Sequence, residues 1–130
     1  MGAFDLIKKD TITRKKLQEI GTEMGRNKYG DNIWIDIVYN WMKVYSSRGI
    51  KRFIITDVRF ENETYMIKTL GGEIWRIQRP EVGPVNNHIS ETELKDYAAD
   101  RTLLNAGTLE DLETLVKLRL DSYLAYQNNQ

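Results

Sequence analysis

The hydrophobic pattern along the chain alternates between helical and strand-like periods. Leu17, Ile20 and Met24 lie at i, i+3 and i+7 and form one apolar stripe, so residues 13–24 read as an amphipathic helix with Thr13 as its N-cap. Gly21 and Gly25 lower its helix propensity and mark its end as tightly packed or close to a ligand. Residues 26–30 read as a loop. Asp31 or Asn32 then caps a second helix, whose Ile33, Trp34, Ile37, Val38, Trp41, Met42 and Tyr45 share one broad face expected to be core. Residues 46–49 end it. A short apolar run, residues 53–55, predicts a buried strand over 52–57. A helix over 61–70 stops at Gly71-Gly72. A second strand follows at 73–78, ended by Pro80, and a loop at 81–89. Ser90-Glu-Thr-Glu93 reads as a capping box opening a short helix over 94–97. Residues 101–105 predict a third strand. Thr108 caps the last helix, with Leu109, Leu112, Leu115, Val116, Leu120 and Tyr123 on its buried side.

The order α-α-β-α-β-α-β-α predicts an α/β fold: a small parallel three-stranded sheet flanked by helices. Residues 1–12 read as a lead-in and 13–126 as a single domain. Three strands leave sheet edges that need a partner, which predicts a homo-oligomer.

Composition narrows the chemistry. The 130 residues carry 19 basic and 19 acidic side chains, so no overall field points to DNA or a membrane surface. Without cysteine, disulfide and thiolate chemistry are excluded, and a single histidine, His88, excludes a multi-histidine metal site within one chain. No apolar run approaches a membrane span and no signal peptide is visible, so the expectation is a cytoplasmic protein.

The candidate chemistry gathers at residues 53–63, Phe-Ile-Ile-Thr-Asp-Val-Arg-Phe-Glu-Asn-Glu. In open α/β sheets, ligands bind beyond the carboxyl ends of the strands. Asp57 and Arg59 occupy that position after the apolar run. A guanidinium grips phosphate with a planar fork of donors, and a carboxylate can hold a sugar hydroxyl, a base amino group or hydrated Mg²⁺.

Six segments in order then resemble the phage-type deoxynucleoside monophosphate kinase family. They are residues 17–26 (LQEIGTEMGR), 31–34 (DNIW), 55–63 (ITDVRFENE), 70–80 (LGGEIWRIQRP), 88–91 (HISE) and 105–112 (NAGTLEDL). The resemblance implies a P-loop kinase fold and transfer of the γ-phosphoryl of ATP, with Mg²⁺, to a deoxynucleoside monophosphate. It also places Arg26, Asp57 and Arg59 near the acceptor nucleotide, Arg76 or Arg79 toward the lid, and His88, Ser90 and Glu91 on the loop that closes the site. Trp34, Tyr29 or Trp75 could stack on a base.

One part of the family pattern is missing from these residues. A phosphate loop needs a glycine followed by lysine, so that backbone N–H groups surround the phosphates and the lysine reaches the transferred group. Here no glycine is followed by lysine; Lys9-Asp10-Thr11 echoes a variant ending, but Lys8 stands where the glycine belongs. The expectation is a truncated P-loop-kinase-like domain, its ATP-phosphate machinery absent. Three functions remain open. The first is a non-catalytic nucleotide binder that sequesters a nucleotide or cyclic nucleotide signal. The second is a kinase completed by a separate P-loop-bearing chain, with ATP and Mg²⁺. The third is a protein-interaction module with no ligand.

Overall fold

A computed structural model describes residues 11–80 and 88–129. Residues 1–10 of the expected lead-in and 81–87 of the expected loop lie outside the described residues, while Thr11 and Ile12 are already helical. The first helix is longer than its apolar stripe suggests. Helix α1 (Thr11–Gln18) continues without a break through a π-helical segment (Glu19–Arg26) into α2 (Asn27–Tyr29). The loop expected at 26–30 is therefore helical as far as Tyr29. Gly30, at φ +104°, ends it in a conformation that a side chain rarely adopts.

Helix α3 (Ile33–Ser47) and α4 (Glu61–Thr69) match the predicted spans closely. The α4 stop is the expected glycine cap: Gly71 has φ +79°, and the N–H groups of Gly71 and Gly72 donate to Lys68 and Ile67 carbonyls. Strand β1 (Trp75–Gln78) and β2 (Arg101–Leu104) form a parallel pair with Trp75 opposite Arg101 and Gln78 opposite Leu104. Between them lies the short α5 (Ile89–Thr92), and α6 (Leu109–Asn128) closes the described chain. At the head of α6, Thr108 caps as predicted. Its hydroxyl accepts from the Asp111 N–H at 3.2 Å while the Asp111 carboxylate accepts from the Thr108 N–H at 2.7 Å.

The fold is thus α/β with helices flanking a parallel sheet, but the sheet has two strands rather than three. Residues 52–57 belong to no ladder among the described residues. A strand needs a neighbour for its backbone N–H and C=O groups, and β1 and β2 pair with each other. Ile54, in the middle of the apolar run, is 83% exposed.

The capping box read into 90–93 is used differently. His88 is the N-cap of α5, its side chain accepting from the Ser90 N–H. Glu93 instead reaches across to α4, where it accepts from the Glu61 N–H at 2.9 Å. The four residues expected to be helical at 94–97 are turns through 96. Tertiary contact redirects a carboxylate that local pattern assigns to its own helix.

The predicted apolar faces are less covered than their periodicity implies. Among the described residues, Phe60 and Leu103 are the buried apolar side chains. Leu17, Ile20 and Met24 are all about half exposed, and so are Ile37, Trp41 and Tyr45 of the α3 face. Leu109 and Leu120 of α6 are exposed too, whereas Leu112, Leu115, Val116 and Tyr123 are partly buried. Periodicity says which side of a helix seeks cover, and a two-stranded sheet covers little of it.

Candidate functional site

The π-helical segment sets one wall of the site. Its widened turns carry Gly21 and Gly25, and π-helical turns occur mostly where function or packing requires them. Trp34, at the start of α3, packs against this wall. A methyl group at Gly25 would stand 2.6 Å from Trp34 Cζ2, so only glycine admits the indole there. The Trp34 Nε1–H donates to the Gly21 carbonyl at 2.7 Å. Of the two glycines flagged by their low helix propensity, Gly25 makes room for this tryptophan, while Gly21 gives it a backbone carbonyl that any residue would supply.

The opposite wall comes from the chain after the apolar run. Asp57 has φ +65°, a left-handed conformation that Asp tolerates better than most residues but that still carries strain. The turn brings Arg59 back over Asp57. Arg59 Nε and Nη2 both lie 2.7 Å from Asp57 Oδ1, and Arg59 Nη1 donates to the Ser90 carbonyl at 3.2 Å. Glu63 fixes the backbone beneath, accepting from the N–H groups of Arg59 at 2.7 Å and Phe60 at 3.1 Å. Helix α4 is thus capped by Glu63 and Glu93, which leaves Asp57 to orient the guanidinium.

Phe60 is the floor. It is 6% exposed, and the Arg26 guanidinium lies 3.7 Å from its ring centroid, a cation–π contact. Arg26 also donates to Asn62 Oδ1 at 3.1 Å, and Asn62 Nδ2 in turn donates to the Asp31 carbonyl and Asn32 Oδ1, both at 2.9 Å. This network ties the end of the π segment, the head of α3 and the head of α4 into one block.

Between these walls is a cleft of about 180 Å³ lined by Arg14, Leu17, Gln18, Gly21, Thr22, Trp34, Asp57, Arg59, Phe60 and Ser90. It holds two arginines and one carboxylate, a set suited to an anion bearing a hydroxyl or amino group. A wider, shallower groove of about 490 Å³ is lined by Glu61, Asn62, Thr64, Tyr65, Lys68 and Tyr97. Its single cation is Lys68, against the two arginines of the smaller cleft, which makes the smaller cleft the better anion site despite its size.

Of the residues expected at a site, Trp34, Asp57, Arg59 and Ser90 line the cleft. Arg26 reaches it through Phe60. His88 stands behind Ser90, with Nδ1 2.8 Å from Ser90 Oγ. Arg76 lies elsewhere, donating to the Leu94 carbonyl at 2.6 Å, and Arg79 is exposed just past β1. The side chain of Glu91 lies outside the described residues. Trp75 packs edge-on against Tyr123 at the sheet, away from the cleft. Sequence reasoning passed over Arg14, Gln18, Thr22 and Phe60. Arg14 and Gln18 sit one helical turn apart, and that spacing was the available signal.

The ordered segments agree with what known proteins show. Residues 4–116 match the family model described as deoxynucleotide monophosphate kinase. The chain belongs to the deoxynucleotide monophosphate kinase family. A putative deoxynucleotide monophosphate kinase of Acanthamoeba polyphaga mimivirus is 35% identical over 108 residues, which cover 75% of this chain and 55% of that protein. The deoxynucleotide monophosphate kinase of Enterobacteria phage T4 is 25% identical over 105 residues, 80% of this chain and 43% of its own length. An uncharacterized protein, ORF77, of Ictalurid herpesvirus 1 is 35% identical over 107 residues, 79% of this chain and 46% of its own length. The chain spans about half the length of the curated relatives it matches. Among the described residues, no helix is long and apolar enough to cross a membrane, and no three His, Asp or Glu side chains gather as a metal site.

Proposed function

We propose that these residues form the acceptor-nucleotide part of a deoxynucleotide monophosphate kinase. The nucleotide's 5′-phosphate pairs with Arg59, and its base lies toward Trp34. The observation that carries this reading is the placement of Arg59. Its guanidinium is held by Asp57 and the Ser90 carbonyl at the lip of a cleft whose other wall contributes Arg14. At about 180 Å³ the cleft is smaller than the roughly 300–1,000 Å³ usual for a small-molecule site, so it serves as one wall of a larger one. The polypeptide that supplies the other wall would bring the glycine-lysine phosphate loop and with it ATP. Mg²⁺ needs only one or two carboxylates besides phosphate oxygens, and Asp57 is the carboxylate at this cleft that fits that role.

Titration calorimetry with the four deoxynucleoside monophosphates tests the reading. The chain should bind at least one of them, and Arg59→Ala should weaken that binding about ten- to a hundredfold, the worth of a charge-assisted hydrogen-bond set. Unchanged affinity in the variant would sink the assignment. Phosphoryl transfer should require an added polypeptide carrying a phosphate loop.

One sequence observation favours a second reading. Within these 130 residues no glycine is followed by lysine, so binding without turnover, and hence sequestration of a nucleotide, is the alternative. The outer edges of β1 and β2 could pair with a second copy and complete a pocket for a cyclic nucleotide. Binding of cyclic di- or trinucleotides in preference to monophosphates, by a dimer in sedimentation, would select this reading. A folded chain that binds neither class would be an interaction module.

A further inference from the structure

Glu23 does not line the cleft, yet an unbroken chain of polar contacts joins it to Arg59. Glu23 Oε1 lies 3.1 Å from His88 Nε2. On the other side of the imidazole, Nδ1 accepts from the Ser90 N–H at 3.2 Å and lies 2.8 Å from Ser90 Oγ. The Ser90 carbonyl then accepts from Arg59 Nη1 at 3.2 Å. The chain begins in the π-helical segment, passes through α5 and ends at the guanidinium.

The donors along it fix the state of the ring. A backbone N–H can only donate, so Nδ1 is the acceptor and carries no proton. The ring proton is therefore on Nε2 and donates to Glu23. The carboxyl of Glu23 is held below its ordinary range, chiefly by this bond to His88, which keeps it an acceptor. The other tautomer would turn an N–H toward the Ser90 N–H. A four-residue helix has little stability of its own, so α5 depends on this cap.

We infer that Glu23 is a positioning residue for the nucleotide site: by holding His88 in the Nε2–H tautomer it seats Ser90, whose carbonyl aims Arg59 into the cleft. The inference rests on the reading that Arg59 binds the nucleotide phosphate. It explains why a histidine and a glutamate 65 positions apart meet beside a cleft that neither lines.

The test compares Glu23→Ala, Glu23→Gln and Arg59→Ala in the full chain, with the deoxynucleoside monophosphate that binds wild type best as the probe. Glu23 is about half exposed, so neither of its substitutions empties a core. Two-bond ¹H–¹⁵N correlation spectra report the tautomer of the single histidine. Wild type and Glu23→Gln should show the Nε2–H pattern, because the glutamine carbonyl accepts the same proton. Glu23→Ala should show a mixture. Affinity should fall roughly three- to tenfold in Glu23→Ala, the worth of one hydrogen bond, and be largely restored in Glu23→Gln. Several results overturn the inference: a wild-type Nδ1–H pattern, full affinity in Glu23→Ala, or equal losses in the alanine and glutamine variants. If Arg59→Ala binds as well as wild type, the phosphate assignment itself fails. If Arg59→Ala loses affinity while Glu23→Ala does not, that assignment stands and only the role of Glu23 is lost.

Discussion

Two arginine–carboxylate pairs in this molecule have the same closest contact distance and opposite surroundings. Arg59 meets Asp57 at 2.7 Å, and Arg101 meets Glu73 at 2.7 Å; both arginine side chains are 34% exposed. Arg101 lies near two aromatic rings, 5.7 Å from the Trp75 centroid and 5.9 Å from that of Tyr123. Its partner Glu73 also accepts from Trp75 Nε1 at 2.9 Å. That pair is packed into the seam between the sheet and α6. Asp57, by contrast, is 66% exposed, sits on a left-handed backbone, and holds its arginine at the lip of a cleft. The same bond therefore locks a seam in one place and aims a donor fork in the other. What differs is the number of groups that enclose the carboxylate, together with the grip itself: both Arg59 nitrogens meet one oxygen, whereas Arg101 forks across two.

The contrast is most severely broken by removing the floor of the cleft. Phe60→Ala should cost about 3–5 kcal/mol in chemical denaturation, since it empties a buried ring site and strips Arg26 of its stacking surface. It should abolish nucleotide binding along with stability, unlike a change at the lip. Next in size is Arg59→Ala, which should lose about 1.5–3 kcal/mol of binding free energy while the melting temperature stays near wild type. Arg101→Ala should do the reverse, lowering the melting temperature and leaving affinity per folded molecule unchanged. If both arginines behave alike, the two pairs play the same role.

Acid sharpens the comparison at the sheet end. Glu73 is held below its ordinary range first by the bond from Arg101, and Asp100 first by the Ile74 N–H and then by Lys68. Both carboxyls bind protons less readily folded than unfolded, so the unfolded state takes up more protons and stability rises with pH through their titration range. The contribution is complete above the unfolded carboxylate values, near 4, and is lost as the pH falls through the lower folded ones. Thermal melts between about pH 2 and 6 should therefore show an acid loss that is smaller in Glu73→Gln and Asp100→Asn. The smallest effect is Thr108→Ala, which removes one helix cap and should cost about 1 kcal/mol without touching affinity.

Much of this was legible beforehand because it depends on local rules. The α4 stop at Gly71-Gly72, the Thr108 cap and the spans of α3 and α4 follow from backbone conformation and side chains a few residues apart. Asp57 and Arg59 were singled out because they follow an apolar run, and both line the cleft, although that run does not join the sheet. What could not be read were the partners brought from a distance. Glu93 resembled half of a capping box, yet it caps a helix 32 residues away. Arg76 resembled a lid residue, yet it braces the turn at Leu94. Nothing in the periodicity of the first helix announced the π-helical turns or the glycine-to-tryptophan contact that they permit.

The amino-acid order by itself determined where α3 and α4 start and stop, which faces are apolar, and that an acid and an arginine follow residues 53–55. Those outcomes are decided within a few residues by backbone sterics, capping and periodicity. Only the tertiary structure decided that two strands pair rather than three, that Trp34 closes on Gly25, and that Glu23 meets His88. Each of these needs groups from separate elements to meet at contact distance, and no local preference records which of them will.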